Sequence, residues 1–169
     1  MKTPIIVIAL SLISLSGMAQ EMNQTKVDDR IERSILFGRV TLAGLNDTLC
    51  ANWFKPEFKA YNLDTEILSE LKEMDLTGLK MVLVLGTWCH DSHLQVPRMI
   101  KLLKSIEFPM SDLNLFAMDT NKKAPGIDVQ AIDVKLVPSL IVYKGTKELG
   151  RIIESPKVSL EADLLEILK

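Results

Sequence analysis

The chain has 169 residues, of which 47% are hydrophobic and 25% are charged. This composition is typical of one globular domain with a buried core. The formal net charge of -2 comes from interspersed acidic and basic residues, which excludes the concentrated positive charge of a nucleic-acid-binding or membrane-surface protein. We therefore expect neither nucleic acid nor, for the mature chain, a membrane among its partners.

Residues 1–19 have the pattern of a signal peptide. Lys2 supplies the positive start, an apolar run extends from Ile5 to Leu15, and small residues stand at Gly17 and Ala19. The pattern predicts cleavage near Ala19 and an exported protein, periplasmic or secreted, with an uncleaved signal anchor as the alternative. In such a compartment disulfides can form and persist.

Residues 20–79 are predicted to form a largely helical N-terminal extension. The apolar spacing predicts three helices, over Val27–Phe37, Leu49–Phe54 and Thr65–Met74. Asn46 or Asp47 could cap the second helix, which Pro56 would end or interrupt. Asp64 has the character of an N-cap for the third helix.

Residues 80–169 alternate between strand and helix patterns and form the second, denser part of the chain. The predicted strands are Met81–Leu85, Leu113–Met118, Ser139–Tyr143 and Glu148–Ile153, and the predicted helices cover residues 90–105, 129–134 and 160–168. The first strand, first helix and second strand make a βαβ unit. The predicted order is β-α-β-α-β-β-α, which is an α/β fold.

One cysteine stands where an apolar strand meets a helix. The strand ends at Gly86, and Trp88 and Cys89 follow immediately before the helical pattern. The N-terminus of a helix carries a partial positive charge, which stabilises a thiolate. Cys89 is therefore the predicted catalytic residue.

Three motifs with a specific order resemble the thioredoxin superfamily. They are Trp88-Cys89-x-x-Ser92 after the strand, Pro97 inside the following helix, and Val137-Pro138 at the start of the third strand. The form Trp-Cys-x-Asp-Ser is also similar to a group of exported thioredoxin-family proteins. The resemblance covers about residues 80–169.

The resemblance implies a fold and a substrate groove. It implies a thioredoxin-like fold, in which helices flank a central mixed β-sheet and Pro97 kinks the helix after Cys89. It also implies a cis peptide bond before Pro138, beside the cysteine, with Trp88, Val137 and Pro138 lining the groove for a substrate peptide.

Two positions depart from the family pattern. Ser92 stands where the second active-site cysteine is expected, so the attacking thiol lacks its usual partner for releasing a mixed disulfide. The hydroxyl of Ser92 could donate a hydrogen bond to the thiolate or could cap the helix. Leu83 stands where many thioredoxins carry a buried acid, and it cannot relay protons. We therefore do not expect efficient general dithiol reduction.

Three polar residues near Cys89 are candidate modulators of its pKa. A protonated His90 or His93 would favour the thiolate, whereas Asp91 would oppose it while favouring the helix dipole. These side chains could also bind a metal, but Cys89 and His93 share one helix face and the other ligands would have to come from elsewhere. We expect no metal and no cofactor.

Cys50 has two interpretations. It could serve as the resolving thiol for Cys89, or it could be a small apolar residue packed between Leu49 and Trp53. Packing is the preferred interpretation, because free cysteine is among the most buried residue types.

The leading functional hypothesis is thiol-disulfide exchange through Cys89, either monothiol or isomerase-like. Its partners would be thiol- or disulfide-containing proteins, with a small thiol or a redox partner completing the cycle. The alternative is a non-catalytic module that binds a peptide or partner and carries a vestigial cysteine. A third hypothesis is peroxide reduction at Cys89 through a sulfenic acid.

Overall fold

The computed structural model of the protein describes residues 21–169. The predicted signal peptide and its cleavage site near Ala19 lie outside the described residues. The strands are β1 (Thr25–Asp28), β2 (Arg33–Leu36), β3 (Gly38–Val40), β4 (Leu79–Leu85), β5 (Leu113–Ala117), β6 (Ser139–Lys144) and β7 (Lys147–Ile153). The α-helices are α1 (Leu42–Leu45), α2 (Ala51–Ala60), α3 (Thr65–Lys72), α4 (His90–Ser105) and α5 (Leu160–Leu168).

A mixed five-stranded sheet forms the centre of the molecule, and its strand order is β3-β5-β4-β6-β7. Strands β4 and β5 are parallel, as the predicted βαβ unit requires, whereas the other neighbours are antiparallel. Helices flank this sheet, so the predicted α/β fold class with a central mixed sheet is confirmed.

Strand β4 is buried on both faces because it lies in the middle of the sheet. Met81, Leu83 and Leu85 belong to the larger core, which the helices cover, whereas Val84 belongs to a second cluster on the opposite face. That second cluster is closed by the segment between β5 and β6, including Val129. The continuous apolar run of β4 is the sequence signature of a strand buried in this way.

Helix α4 has the predicted bounds, and Cys89 is its N-cap residue. Pro97 lies inside the helix. Helix α3 also begins where predicted, because the carboxylate of Asp64 accepts hydrogen bonds from the N–H groups of Glu66 and Ile67. These elements carry their start signals in adjacent residues, so local sequence was sufficient to find them.

The predicted helix over Val27–Phe37 is wrong. The chain forms the antiparallel hairpin of β1 and β2 instead, with Glu32 at a positive φ of 51° in the turn. The carboxylate of Asp28 is buried and accepts hydrogen bonds from the backbone N–H and the hydroxyl of Thr120, 3.0 and 2.8 Å away. This distant partner outweighs the weak helical spacing, because a short isolated helix has little stability of its own.

The predicted helix over Val129–Val134 is also wrong, since this segment consists of turns. Asp128 accepts hydrogen bonds from the N–H groups of Gln130 and Ala131, but Asp133 then adopts a positive φ of 51°, which ends any helix. Val129 and Val134 are both buried in the second cluster. Val129 and Ile132 are spaced as they would be on one face of a helix, and this spacing explains the misleading pattern, although both pack against the second cluster from turns.

The second helix of the N-terminal extension starts later than predicted. Its N-cap is Cys50, whereas Asp47 uses its carboxylate on the neighbouring N–H of Thr48. Pro56 lies within α2 and does not end it. Contacts with α4 hold the helix beyond the proline, including an ion pair of 2.6 Å between Glu57 and Arg98.

The N-terminal extension contains the three short helices α1, α2 and α3, but it also contributes to the sheet. Strand β3 pairs with β5 and so forms one edge of the central sheet. Within residues 21–169, no helix has the length and apolar character needed to cross a membrane.

Replacing Tyr61 with phenylalanine should destabilise the contact between the extension and α5. The hydroxyl of Tyr61 donates to the carboxylate of Glu161, with 3.0 Å to each oxygen, and Glu161 is buried. Tyr61→Phe would leave this carboxylate without its partner, so we expect the free energy of unfolding to fall by about 1–3 kcal/mol in urea denaturation.

The matched control is Tyr143→Phe, at the other tyrosine of the chain. No hydrogen bond of its hydroxyl is found within the described part of the chain, and its stability should change little. Equal losses in the two variants would contradict the role of the Tyr61 hydrogen bond.

Candidate functional site

Cys89 lies at the carboxyl end of β4, where the chain turns into α4. Its side chain is half-buried, and Sγ is 3.2 Å from the carbonyl oxygen of Val137. Because a carbonyl can only accept, the S–H group is the donor in this contact. Sγ accepts no capping hydrogen bond from the first turn of α4. The cysteine therefore faces the start of β6, as the resemblance implied.

The peptide bond between Val137 and Pro138 is cis, in agreement with the sequence prediction. Both residues are buried, and the carbonyl of Pro138 accepts a hydrogen bond of 2.7 Å from the N–H of Glu154. Leu136, directly before this pair, and Ile153, opposite Ser139 at the end of β7, are 47% and 43% exposed.

Leu136 and Ile153 were missed by the sequence analysis. Leu136 directly precedes the Val137-Pro138 pair, and its position was a usable signal. Ile153 pairs with Ser139 across two strands, so its place beside the site depends on strand register.

Trp88 packs over Gly86 and into the second core cluster. Its indole N–H donates to the carbonyl oxygen of Met118, 2.8 Å away. A Cβ atom on Gly86 would lie 2.8 Å from Cε2 of the indole, closer than real contacts allow. A side chain at Gly86 would therefore displace the ring that stands next to Cys89.

Ser92 is fully buried, and its hydroxyl oxygen accepts a hydrogen bond of 3.1 Å from the N–H of Gly86. The hydroxyl proton is left free to donate. Ser92 thus stabilises the turn before Cys89, while a hydrogen bond to the sulfur remains a prediction.

The three candidate modulators differ in their surroundings. His90 is exposed and Asp91 is half-buried, whereas His93 is held by two contacts. Its Nε2 is 2.8 Å from the carbonyl oxygen of Thr87, and its ring stacks on Trp53 with centroids 4.5 Å apart and planes 16° apart. Only His93 is built into the structure around the site.

Leu83 and Cys50 are both surrounded by apolar side chains. Leu83 is fully buried and lies in register between Leu115 and Leu140 on the neighbouring strands, so it has only hydrocarbon neighbours in the sheet. Cys50 is fully buried in the helix-covered core, and both cysteines are free thiols. These surroundings favour the packing interpretation of Cys50.

Burial first, and the nearby charge of Asp47 second, raise the pKa of Cys50 to about 12. A thiol with so high a pKa is almost entirely protonated at neutral pH and is a poor nucleophile. Among residues 21–169, no group of three or more His, Cys, Asp and Glu side chains is arranged to hold a metal ion.

No model of a protein family matches the sequence, and no curated protein matches it either. Solved structures similar to this one include a Pseudomonas aeruginosa protein of unknown function, with 14% sequence identity and a TM-score of 0.46. That match covers 68% of this chain and 66% of the other, so this chain spans slightly less than two thirds of that protein's length.

Two further similar structures carry thioredoxin names. Thioredoxin O2 from Arabidopsis thaliana is 20% identical over 62% of this chain and 85% of its own, with a TM-score of 0.41. Trxlp from Edwardsiella tarda is 20% identical over 63% and 95%, with a TM-score of 0.38. Since these scores are below 0.5, the fold assignment rests on the strand order and the βαβ unit described above. The fold is thioredoxin-like.

In this thioredoxin-like protein, a thiol reagent should distinguish the two cysteines. At neutral pH the native protein should react quickly at Cys89, which is half-buried, and not at Cys50, which is buried and protonated. After denaturation both thiols should react. The measurement is a spectrophotometric thiol titration followed by mass spectrometry of the labelled peptides.

Cys50→Ala should keep the fast reaction and Cys89→Ala should lose it. Labelling of Cys50 in the native protein at the rate of Cys89 would contradict the assigned burial.

Proposed function

We propose that this chain is an exported thioredoxin-like protein in which Cys89 carries out thiol-disulfide exchange with protein substrates. The observation that carries this proposal is the position of Sγ, 3.2 Å from the Val137 carbonyl and beside Pro138, at the N-terminus of α4. A half-buried thiol there can meet a substrate peptide lying along the start of β6. The signal-peptide pattern of residues 1–19 supports the export part of the proposal.

The reaction proceeds in two exchanges. The Cys89 thiolate attacks one sulfur of a partner disulfide, so that a bond forms between the two sulfurs and the partner disulfide breaks. The second partner sulfur leaves as a thiolate and takes up a proton. A thiolate then attacks the mixed disulfide, forms a new disulfide with the partner sulfur, and releases Cys89 as a thiolate.

The identity of the second thiol distinguishes the outcomes. If it comes from the same partner, the partner's disulfides are rearranged. If it is a small thiol, the partner is left with one free thiol and one mixed disulfide to the small thiol, and a second small thiol must attack that disulfide to complete the reduction. Ser92 cannot take this role because it has no sulfur. Cys50 is poorly suited, since it is fully buried and its pKa is raised to about 12. Monothiol or isomerase-like exchange is therefore the favoured form.

Exposed apolar surface supports a protein or peptide as the substrate. Leu136 directly precedes the Val137-Pro138 pair and Ile153 lies opposite Ser139, and the two residues keep 47% and 43% of their surfaces exposed. They could offer apolar contact to a peptide bound along the start of β6.

The alternative candidate is a binding module with a vestigial cysteine. It is favoured by the S–H donation to the Val137 carbonyl, because a thiolate would lose this bond and face the carbonyl's lone pairs. A comparison of alkylation rates at neutral pH decides between the two. If Cys89 reacts no faster than a free model cysteine, the binding module is favoured, and a faster reaction favours exchange.

The direct test is to trap covalent partners of the mature protein under oxidising conditions. The wild type should accumulate mixed disulfides that are visible on a non-reducing gel, and Cys89→Ala should abolish them. Cys50→Ala is the matched control and should leave them unchanged. Adducts that persist in Cys89→Ala but disappear in Cys50→Ala would overturn the site assignment.

A second variant tests the role of Ser92. Ser92→Cys introduces the second thiol that the family pattern contains, so mixed disulfides at Cys89 should be released and their steady level should fall. Ser92→Ala also removes the hydroxyl that binds the N–H of Gly86, but it adds no thiol, and adducts should still accumulate. An equal fall in both variants would show that the serine acts only through the turn.

A further inference from the structure

The turn that carries Cys89 is held by residues of the N-terminal extension. We call residues 86–89 the Cys89 loop. The hydroxyl of Thr87 accepts a hydrogen bond of 3.1 Å from the N–H of Leu36 in the hairpin. The carbonyl of Thr87 lies 2.8 Å from Nε2 of His93, whose ring stacks on Trp53 of α2. The extension thus reaches Thr87 directly through Leu36, and indirectly through Trp53 and His93.

We propose that His93 is a positioning residue that ties the Cys89 loop to helix α2 for the exchange reaction. This inference rests on the proposed function, since it assigns a supporting role in the same site. His93 acts through Thr87 and not on the sulfur itself. This positioning role is distinct from the effect that the charges of His90, Asp91 and His93 would have on the pKa of Cys89.

The hydrogen bond between His93 and Thr87 shows which nitrogen of the His93 ring carries a proton. Because the Thr87 carbonyl can only accept, Nε2 of His93 carries the proton and donates it. This holds in the neutral ring and in the imidazolium alike. A glutamine at the same position has an amide N–H at nearly the same distance along the side chain and could make this bond, whereas an alanine could not.

The stacking contact fixes the plane of the ring. The His93 and Trp53 rings are 16° from parallel at 4.5 Å, and α2 itself is joined to α4 by the Glu57–Arg98 ion pair. One contact therefore sets the direction of the Nε2–H bond and the other sets the tilt of the ring. When the hydrogen bond and the stacking contact are both made, the Thr87 carbonyl is held in one position relative to α4.

The position of the Thr87 carbonyl affects the position of the Cys89 sulfur, because only a short stretch of chain separates them. Thr87 is two residues from Cys89, and the N–H of Cys89 donates to the carbonyl of Gly86 at 2.9 Å. Sγ must stay close to the start of β6 to meet a bound peptide. In reactions between positioned groups, a displacement of about 1 Å can cost on the order of 100-fold in rate.

The test measures the rate at which the mature protein displaces the chromophore from a peptide activated as a thionitrobenzoate disulfide. His93→Ala should lower the second-order rate by about tenfold, and His93→Gln should retain most of it. Lys104→Ala is the matched control, since it removes an exposed side chain from the far end of the same helix. Its rate should stay close to wild type, as should alkylation of Cys89 by iodoacetamide in all variants.

A second measurement does not depend on activity. Hydrogen exchange at the hydrogen-bonded amides of Gly86 and Cys89 should quicken by about fivefold in His93→Ala, as expected for the loss of one hydrogen bond, and should not change in Lys104→Ala. If His93→Ala does not fold, Trp53→Leu removes the stacking contact and should quicken exchange at the same amides.

Three results would overturn the positioning role. They are an equal loss of rate in His93→Gln and His93→Ala, an equal loss in Lys104→Ala, and unchanged hydrogen exchange in the variants that break the contact. A wild-type protein that forms no mixed disulfide with the peptide would instead refute the proposed function. In that case hydrogen exchange still decides whether His93 holds the loop.

Discussion

The turn at Gly86 is the constraint on which the Cys89 site depends. Its N–H binds the hydroxyl of Ser92, its carbonyl accepts from the N–H of Cys89, and the indole of Trp88 would lie only 2.8 Å from a Cβ atom there. The last of these contacts requires a residue without a side chain. They bring the end of the central strand, the first turn of α4 and the aromatic ring into one compact unit, which leaves the thiol facing the start of β6.

The surroundings of Cys89 contain one thiol. Ser92 is fully buried and stabilises the turn through the N–H of Gly86, and Leu83 is fully buried among hydrocarbon side chains. Cys50, the other thiol, is enclosed in the helix-covered core. For the proposed exchange reaction, a second step would therefore depend on a thiol supplied from outside the site.

The N-terminal extension is joined to this site at several points. Strand β3 extends the sheet, the hairpin binds Thr87 through Leu36, and α2 reaches His93 through Trp53. These contacts join residues that are 40 or more positions apart in the chain. No local pattern indicates such pairs, so the sequence points to His93 only as a charge near Cys89 or as a possible metal ligand.

Helices and strands with a regular apolar spacing, or with a capping residue at their start, were predictable because these signals lie within a few residues. This class contains strand β4, helix α4, the β6–β7 hairpin and α5. The prediction that Cys89 is the reactive residue likewise followed from its place before a helix. The hairpin at residues 25–36 and the turns at residues 129–134 were mispredicted. Their conformations depend on partners such as Thr120 and on burial in a cluster assembled from distant segments. Long-range packing, and not local propensity, sets what surrounds a side chain. It therefore also decides the burial of Cys50, the exposure of Ile153 and the two contacts that hold His93.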